Sequence, residues 1–341
     1  MNGSLSKEQL SRLIILITME TTSNIPFKRI KQIEFGTNAM LLSIFVGLIV
    51  VAGFLSSGFL KTENLFNIAR IVSLTGVMAI GVTYVMLVGE IDLSVGAIMS
   101  LSAVMGGRFL HLGIGSVLAI TFGTGLFLGL INGIGVVKGK VPSLIMTLAT
   151  LTIYSGLANI VSGGKAVYPY KLPAYLWLGN GNMFGIPFPI IVFGSITLVS
   201  IFILNYTEFG RWIYYTGANR TASRFSGGRT DREIIVTFLI SGVCASIVGP
   251  MISGQINRIW STQGAGYELA AISIAVLGGA SLSGGKGTMT GTFIAALIFG
   301  GLMNILNLSG VGTYLQDVVK GALLVFVVGM MYLREKRIKV I

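Results

Sequence analysis

Five arginines, Arg211, Arg220, Arg224, Arg229 and Arg232, crowd into residues 207–232 of a chain that is 53% hydrophobic and only 11% charged. Guanidinium groups at that density need water or a partner rich in acceptors, so this stretch cannot be core. Lys286, in GGASLSGGKGT, next invites comparison with a phosphate-binding loop, GxxxxGK[ST]. The match fails twice. Ala280 stands at the first glycine position, and Gly287 follows the lysine where Ser or Thr must hold magnesium. ATP chemistry is therefore expected on another chain, and neither a catalytic residue nor a cofactor is expected here.

The remaining polar candidates are few. Asp317 and Lys320, three apart, share a helix face and are expected to pair as a structural ion pair. Glu90 and Asp92 fall where an apolar run begins, so hydration or a helix N-terminus would accommodate them, and Glu268 stands similarly. Asp92, Ser94, Asn304 and Asn307 are candidates for a translocation pathway or gate, with helix-to-helix hydrogen bonding the competing reading for the two asparagines. The single cysteine, Cys244, excludes an internal disulfide, and the single histidine, His111, leaves no metal-ligand cluster. No Ser-His-Asp set or acidic dyad lies at a common depth, which argues against an intramembrane enzyme.

The elements that must position these residues are apolar runs of spanning length, about 20 residues. They lie near 39–60, 67–88, 92–110, 113–137, 142–162, 188–206, 233–254, 267–281, 288–306 and 312–333. An all-α, multi-pass membrane protein of about ten helices is predicted. Residues 1–37 read as a retained cytoplasmic N-terminal extension with an interfacial stretch at Leu13–Met19, 38–333 as the membrane domain, and 334–341 as a cytoplasmic tail.

Charge sets the orientation. With ten spans both termini share a side, and that side collects Lys7, Arg12, Lys28, Arg29, Lys31, Lys138, Lys140, the five arginines, Lys286, Arg334, Lys336, Arg337 and Lys339. Only Lys61, Arg70, Arg108, Lys165, Lys171 and Arg258 fall opposite. Basic loops stay in the cytoplasm, so both termini and the loop 207–232 are expected on the cytoplasmic side of the membrane. The net charge of +12 thus reflects membrane orientation and not nucleic acid. The external segment 163–187 carries Tyr168, Tyr170, Tyr175 and Trp177, which read as interfacial aromatics or as a docking surface.

One short pattern recurs: Gly89, Leu93, Ser94 and Gly96 in GEIDLSVG, and Gly278, Leu282, Ser283 and Gly285 in GGASLSGG. It is compatible with a parallel internal repeat, though glycine is frequent enough here for chance to compete.

Several segments, in order, resemble the permease subunits of bacterial ABC importers for ribose, xylose, galactose and related sugars. GEIDLSVG is similar to the family's GGIDLSVG, and PSLIMTLAT to the opening of one of its spans. GRWIYYTGANRTASRFSGG resembles its coupling segment, YELAAISIAVLGGASLSGGKG its late signature, and NLSGVGTYLQDVVKGALLV its final span. The likeness covers roughly residues 64–333. It implies two cytoplasmic ATPase subunits, a second permease copy or paralogue and an external sugar-binding protein as partners, beside the membrane lipid. It also implies that Gly210, Arg211, Asn219, Ala222, Arg224, Ser226 and Gly227 couple the permease to the ATPase. The chain departs from the family where Arg220 replaces Glu, Thr221 Ala, Gly228 a branched apolar residue, Glu90 a glycine and Ala270 an aspartate. The competing readings are an ion-coupled secondary carrier of small polar solutes and a channel-like membrane protein.

Overall fold

A computed structural model describes residues 27–56 and 58–339, with side chains placed for 38–54, 56 and 58–330. The stretch Leu13–Met19 and most of the predicted N-terminal extension lie outside the described residues. The chain divides after Met40 into two units, and every helix that carries a candidate site belongs to the second.

The described residues are almost wholly helical. In chain order they form α1 (Phe27–Leu55), α2 (Thr62–Leu87), α3 (Val95–Gly107), α4 (Ile114–Val137) and α5 (Ser143–Ser162). There follow α6 (Pro173–Asn180), a two-stranded hairpin of β1 (Asn182–Met183) and β2 (Ile186–Pro187), α7 (Phe188–Tyr206), α8 (Glu208–Ala218) and α9 (Arg220–Phe225). The last third is α10 (Thr230–Ile256), α11 (Tyr267–Leu277), α12 (Met289–Leu308) and α13 (Thr313–Lys339). Seven of these are long and apolar enough to cross a membrane, and three shorter apolar stretches, Asn38–Phe54, Val95–Gly107 and Tyr267–Leu277, bring the set to the ten expected. The protein is a multi-pass, all-α membrane protein. α13 continues unbroken to Lys339, across the boundary drawn at residue 333.

The core forms around α2 and α10. α2 is buried continuously from Val72 to Leu87, and α10 packs against α2, α3, α4 and α6. Glycines let the α10 and α4 backbones touch: a Cβ on Gly129 would strike the Phe238 carbonyl, and one on Gly242 the Gly125 carbonyl. α12 and α11 complete the packing around α2.

Two sequence expectations need correction. The run 92–110 is not helical throughout: after α2 the chain is extended or turned from Val88 to Ser94, and the helix begins only at Val95. At 1.5 Å per residue, α3 and α11 reach only about 20 and 17 Å against a hydrocarbon core of about 30 Å, so each is half a span entered through unwound backbone. Irregular backbone at such depth persists only when buried in protein or lining a cavity. The parallel repeat also gives way to a different one. The succession long helix, unwound stretch, short helix, two long helices occurs twice, as α2–α5 and as α10–α13. The copies start at the second and seventh apolar stretches, an odd offset, so the second runs opposite to the first, the inverted arrangement many transporters use. The two Gly-x-x-x-Leu-Ser-x-Gly segments are not equivalent positions of that repeat: the first opens α3, whereas the second follows α11.

Within 163–187, Tyr175 is not an interfacial aromatic. It is fully buried in a small cluster with Ala103, Val104, Val117 and Ile259, while Tyr168, Tyr170 and Trp177 remain exposed. The segment is tied down by an antiparallel bridge between Val167 and Ile259 and by Asn180 Nδ2 donating to the Gly254 carbonyl at 2.8 Å.

Candidate functional site

The arginine-rich connector folds into two short helices because each finds its own cap. Thr207 Oγ1 accepts from Gly210 N at 3.2 Å and starts α8, and Asn219 Oδ1 accepts from Ala222 N at 2.9 Å and starts α9. Asn219 itself is extended, so the axis turns there, and Gly227, at φ +94°, ends the second helix. α8 buries Gly210, Ile213 and Thr216, three apart along one face. Gly210 lies against Ile203 and Leu204 of α7, where a side chain would not fit, and this fixes the sharp exit from that helix. The outer surface carries Arg211, Ala222, Arg224, Ser226 and Gly227, with Tyr215 56% and Phe225 89% exposed. Phe225 went unnoticed in the sequence, where it stands as a lone aromatic among polar residues. Its position between two candidate residues, Arg224 and Ser226, was the available signal.

Charges knit this connector to the first unwound stretch. Arg224 Nη2 meets Asp231 Oδ1 at 2.6 Å, and Arg220 lies 3.6 Å from Asp231 and 3.4 Å from Glu90 Oε1. These groups, with Lys140, border a cleft of about 400 Å³ whose apolar wall includes Val136, Val137 and Pro142. Glu90 and Arg220, two of the departures from the family pattern, therefore face one another across 130 residues of sequence.

Beneath them three backbones meet. The Gly285 amide donates to the Leu87 carbonyl at 2.9 Å, and Tyr214 Oη donates to the Gly287 carbonyl at 2.9 Å. Gly89 and Gly284, both at φ +82°, and Gly217 crowd the same point: a Cβ on Gly284 would lie 2.7 Å from Gly89 Cα and 2.8 Å from the Gly217 carbonyl. Both glycine-rich turns are thus held against the C-terminal end of α8. In the loop around Lys286 several amides are taken by protein acceptors, Ser281 N by the Lys286 carbonyl, Ser283 N by Ser281 Oγ and Gly284 N by the Ser281 carbonyl.

Asp92 is fully buried, so of the two accommodations expected for it the helix N-terminus applies and hydration does not. Its Oδ1 accepts from Ser94 N at 2.9 Å and Ser94 Oγ at 2.6 Å, and its Oδ2 from Ser241 Oγ of α10 at 2.8 Å. Ser94 Oγ in turn accepts from Asn132 Nδ2 at 2.7 Å, and Tyr154 Oη donates to Asn132 Oδ1 at 3.3 Å. One carboxylate at the N-terminus of α3 thereby ties α4, α5 and α10 together, and its charge is offset by donors and by the helix end.

The other pathway candidates are not brought to this place. Asn304 and Asn64 exchange reciprocal hydrogen bonds at 3.0 and 2.9 Å between α12 and α2, and Asn307 Oδ1 accepts from Gln316 Nε2 at 2.8 Å. Asp317 and Lys320 pair at 2.8 Å as their spacing predicts. At the second unwound stretch Gly264 N donates to Ser100 Oγ at 2.8 Å, and Glu268 Oε1 accepts from Gly266 N at 3.1 Å. Here Gly96 and Gly264 touch backbone to backbone, so the two broken helices start against each other.

Comparison with known proteins gives one consistent result. Residues 64–328 match the family described as branched-chain amino acid transport system / permease component. The ribose import permease of Bacillus subtilis (strain 168) is 37% identical over 309 residues, 87% of this chain and 94% of its own length. Its counterpart in Escherichia coli (strain K12) is 35% identical over 293 residues, 84% and 91% of the two chains. The L-arabinose transport system permease of E. coli (strain K12) is 32% identical over 286 residues, 83% and 87%. No solved structure is significantly similar. With nearly the whole membrane domain aligned, the chain belongs to this family of transport-system permease components.

Proposed function

We propose that the chain is the membrane-spanning permease subunit of an ATP-binding-cassette importer for a monosaccharide. The family description mentions branched-chain amino acids, but the relatives above carry ribose and arabinose. A neutral sugar also suits a protein whose buried Asp92 is already engaged by Ser94 and Ser241. The observation that carries the mechanism is the exposed connector α8–α9, braced on its inner side by Gly217 and Ile213 and showing Arg224 and Phe225 outward.

In this reading the connector faces the cytoplasm, both termini lie on that side, and α9 sits in a groove on a separate ATPase. Phe225 supplies the apolar anchor, and Arg224, held by Asp231, the charge. Asn219 and Gly227 set the ends of α9, while Gly210 and Arg211 position the preceding helix. Two ATPase subunits, a second permease copy or paralogue and an external sugar-binding protein complete the assembly. ATP-driven closure of the ATPase pair shifts α9 and favours one access state, because ATP binds that state more tightly. Asp92 and Ser94 hold the first unwound stretch through the change.

The test is uptake into vesicles holding the chain with its ATPase and binding protein. ATP-dependent accumulation of D-ribose, D-allose, D-xylose or L-arabinose is expected, whereas uptake driven by a proton or sodium gradient without ATP would establish a secondary carrier. Phe225→Ala is expected to weaken ATPase binding by about tenfold or more while the permease stays folded. Arg224→Glu is expected to abolish coupled uptake, and unchanged uptake with normal ATPase assembly would remove Arg224 from the interface. An Arg224→Cys thiol reachable by impermeant reagents from outside intact cells would overturn the orientation.

A further inference from the structure

We propose that the cavity where the two broken helices meet is a subsite for the hydroxyl groups of the sugar on its way through the membrane, with Glu268 as the carboxylate that takes a vicinal diol. The assignment of the ligand as a sugar rests on the importer reading; the cavity and its chemistry do not. It is a partly open space of about 90 Å³ between α3, α5, the second unwound stretch and α11. Its polar lining is Ser100, Ser155, Ser261, Thr262 and Glu268. That space holds a few water molecules or one hydroxyl-bearing edge of a monosaccharide, not the whole ring.

A carboxyl group inside a membrane needs a reason. Glu268 has only part of one in the protein: Oε1 accepts from Gly266 N and the carboxyl also meets its own backbone amide, while Oε2 lies beside Gly96 on the cavity wall. A carboxylate has acceptor sites on both oxygens, so two neighbouring hydroxyls of a sugar can donate to what remains. Ser100 Oγ keeps its donor after accepting from Gly264 N, Ser261 Oγ keeps an acceptor site after donating to Asn159 Oδ1, and hydroxyls of this kind suit a ligand that both donates and accepts. Gly96, also on the lining, leaves the sugar edge close access to backbone.

The same features disfavour a metal ion. Hard cations seek six or more oxygens, several of them charged. Here one carboxylate, already shared with an amide, sits at the N-terminus of α11, where the helix dipole is positive. Asp92 offers no such site, since Ser94 and Ser241 use both of its oxygens.

The experiment uses the assembled importer in proteoliposomes with a Thr262→Cys reporter, because the native Cys244 is buried. Whichever of the four named sugars is accumulated should, at millimolar concentration, slow maleimide labelling of the reporter thiol, and sodium chloride at the same concentration should not. Adding Glu268→Gln should remove that protection. Glu268→Gln alone should raise KM for uptake by about tenfold, the loss expected for one charge-assisted contact. If Glu268→Gln does not assemble, Ser155→Ala serves instead, with a smaller rise in KM and weaker protection expected. Normal uptake with protection and KM unchanged in these variants overturns the subsite, and protection by sodium rather than sugar replaces it with a cation site. Absence of ATP-driven uptake of all four sugars by the unaltered importer sinks the importer reading, and the sugar assignment with it.

Discussion

The unwound stretch before α3 and the one before α11 occupy matching places in the two inverted copies, yet they are finished differently. The first is short, Val88–Ser94, and its Asp92 is fully buried with both oxygens engaged by Ser94 and Ser241. The second is longer, 257–266, and Glu268, in the first turn of the helix it leads into, is half-buried, is met among the described residues only by the backbone amides of Gly266 and Glu268 itself, and borders a cavity. A carboxylate at a broken helix can thus be a fastening in one half and a group left available in the other. Burial and the set of side-chain donors both tell them apart.

The largest effect should come from forcing the two stretches apart. Gly264→Val places a branched side chain against the Gly96 carbonyl, where there is no space, and is expected to cost at least about 3 kcal/mol and to lose the folded protein. The readout is a monodisperse, thermally cooperative sample in detergent; a stable variant would mean that the broken helices do not abut.

Asp92→Ala tests the asymmetry more directly. It leaves Ser94 N, Ser94 Oγ and Ser241 Oγ without their acceptor and should cost about 2–3 kcal/mol, whereas Glu268→Ala, losing backbone-amide contacts alone, should cost about 1 kcal/mol or less. Equal losses in melting temperature would erase the distinction between the halves. The smallest effect concerns the pair that joins the connector to the first stretch. Arg220→Glu and Glu90→Arg should each lower ATP-driven uptake, and the double exchange should restore part of it, with a coupling of about 0.5–1 kcal/mol that shrinks at high salt. Strictly additive losses would mean that the two residues act separately.

Much of this architecture was legible in the sequence, for physical reasons. Uniform apolar runs bounded by glycine, proline or charge mark helices well: the runs 113–137, 142–162 and 188–206 correspond to Ile114–Val137, Ser143–Ser162 and Phe188–Tyr206. The connector was equally plain, because five arginines cannot be hidden. Hydropathy has no signal for unwinding, so LSVGAIM gave no sign that the helix begins only at Val95. The inverted repeat was missed because it lies in the order of long and short helices, while the glycine pattern drew attention to positions that are not equivalent. Contacts such as Asn64–Asn304 and Glu90–Arg220 join residues 240 and 130 apart, and no local periodicity reports them.

The meeting of Gly89, Gly217 and Gly284 has a mechanical corollary. With only hydrogen atoms separating these strands of backbone, there is no soft side chain at that spot to absorb displacement by changing rotamer. On the proposed docking of α9, a load applied at Phe225 would meet a stiff fulcrum there and would pass to the tip of α2 and the turn after α11 together, and so to both copies in one stroke.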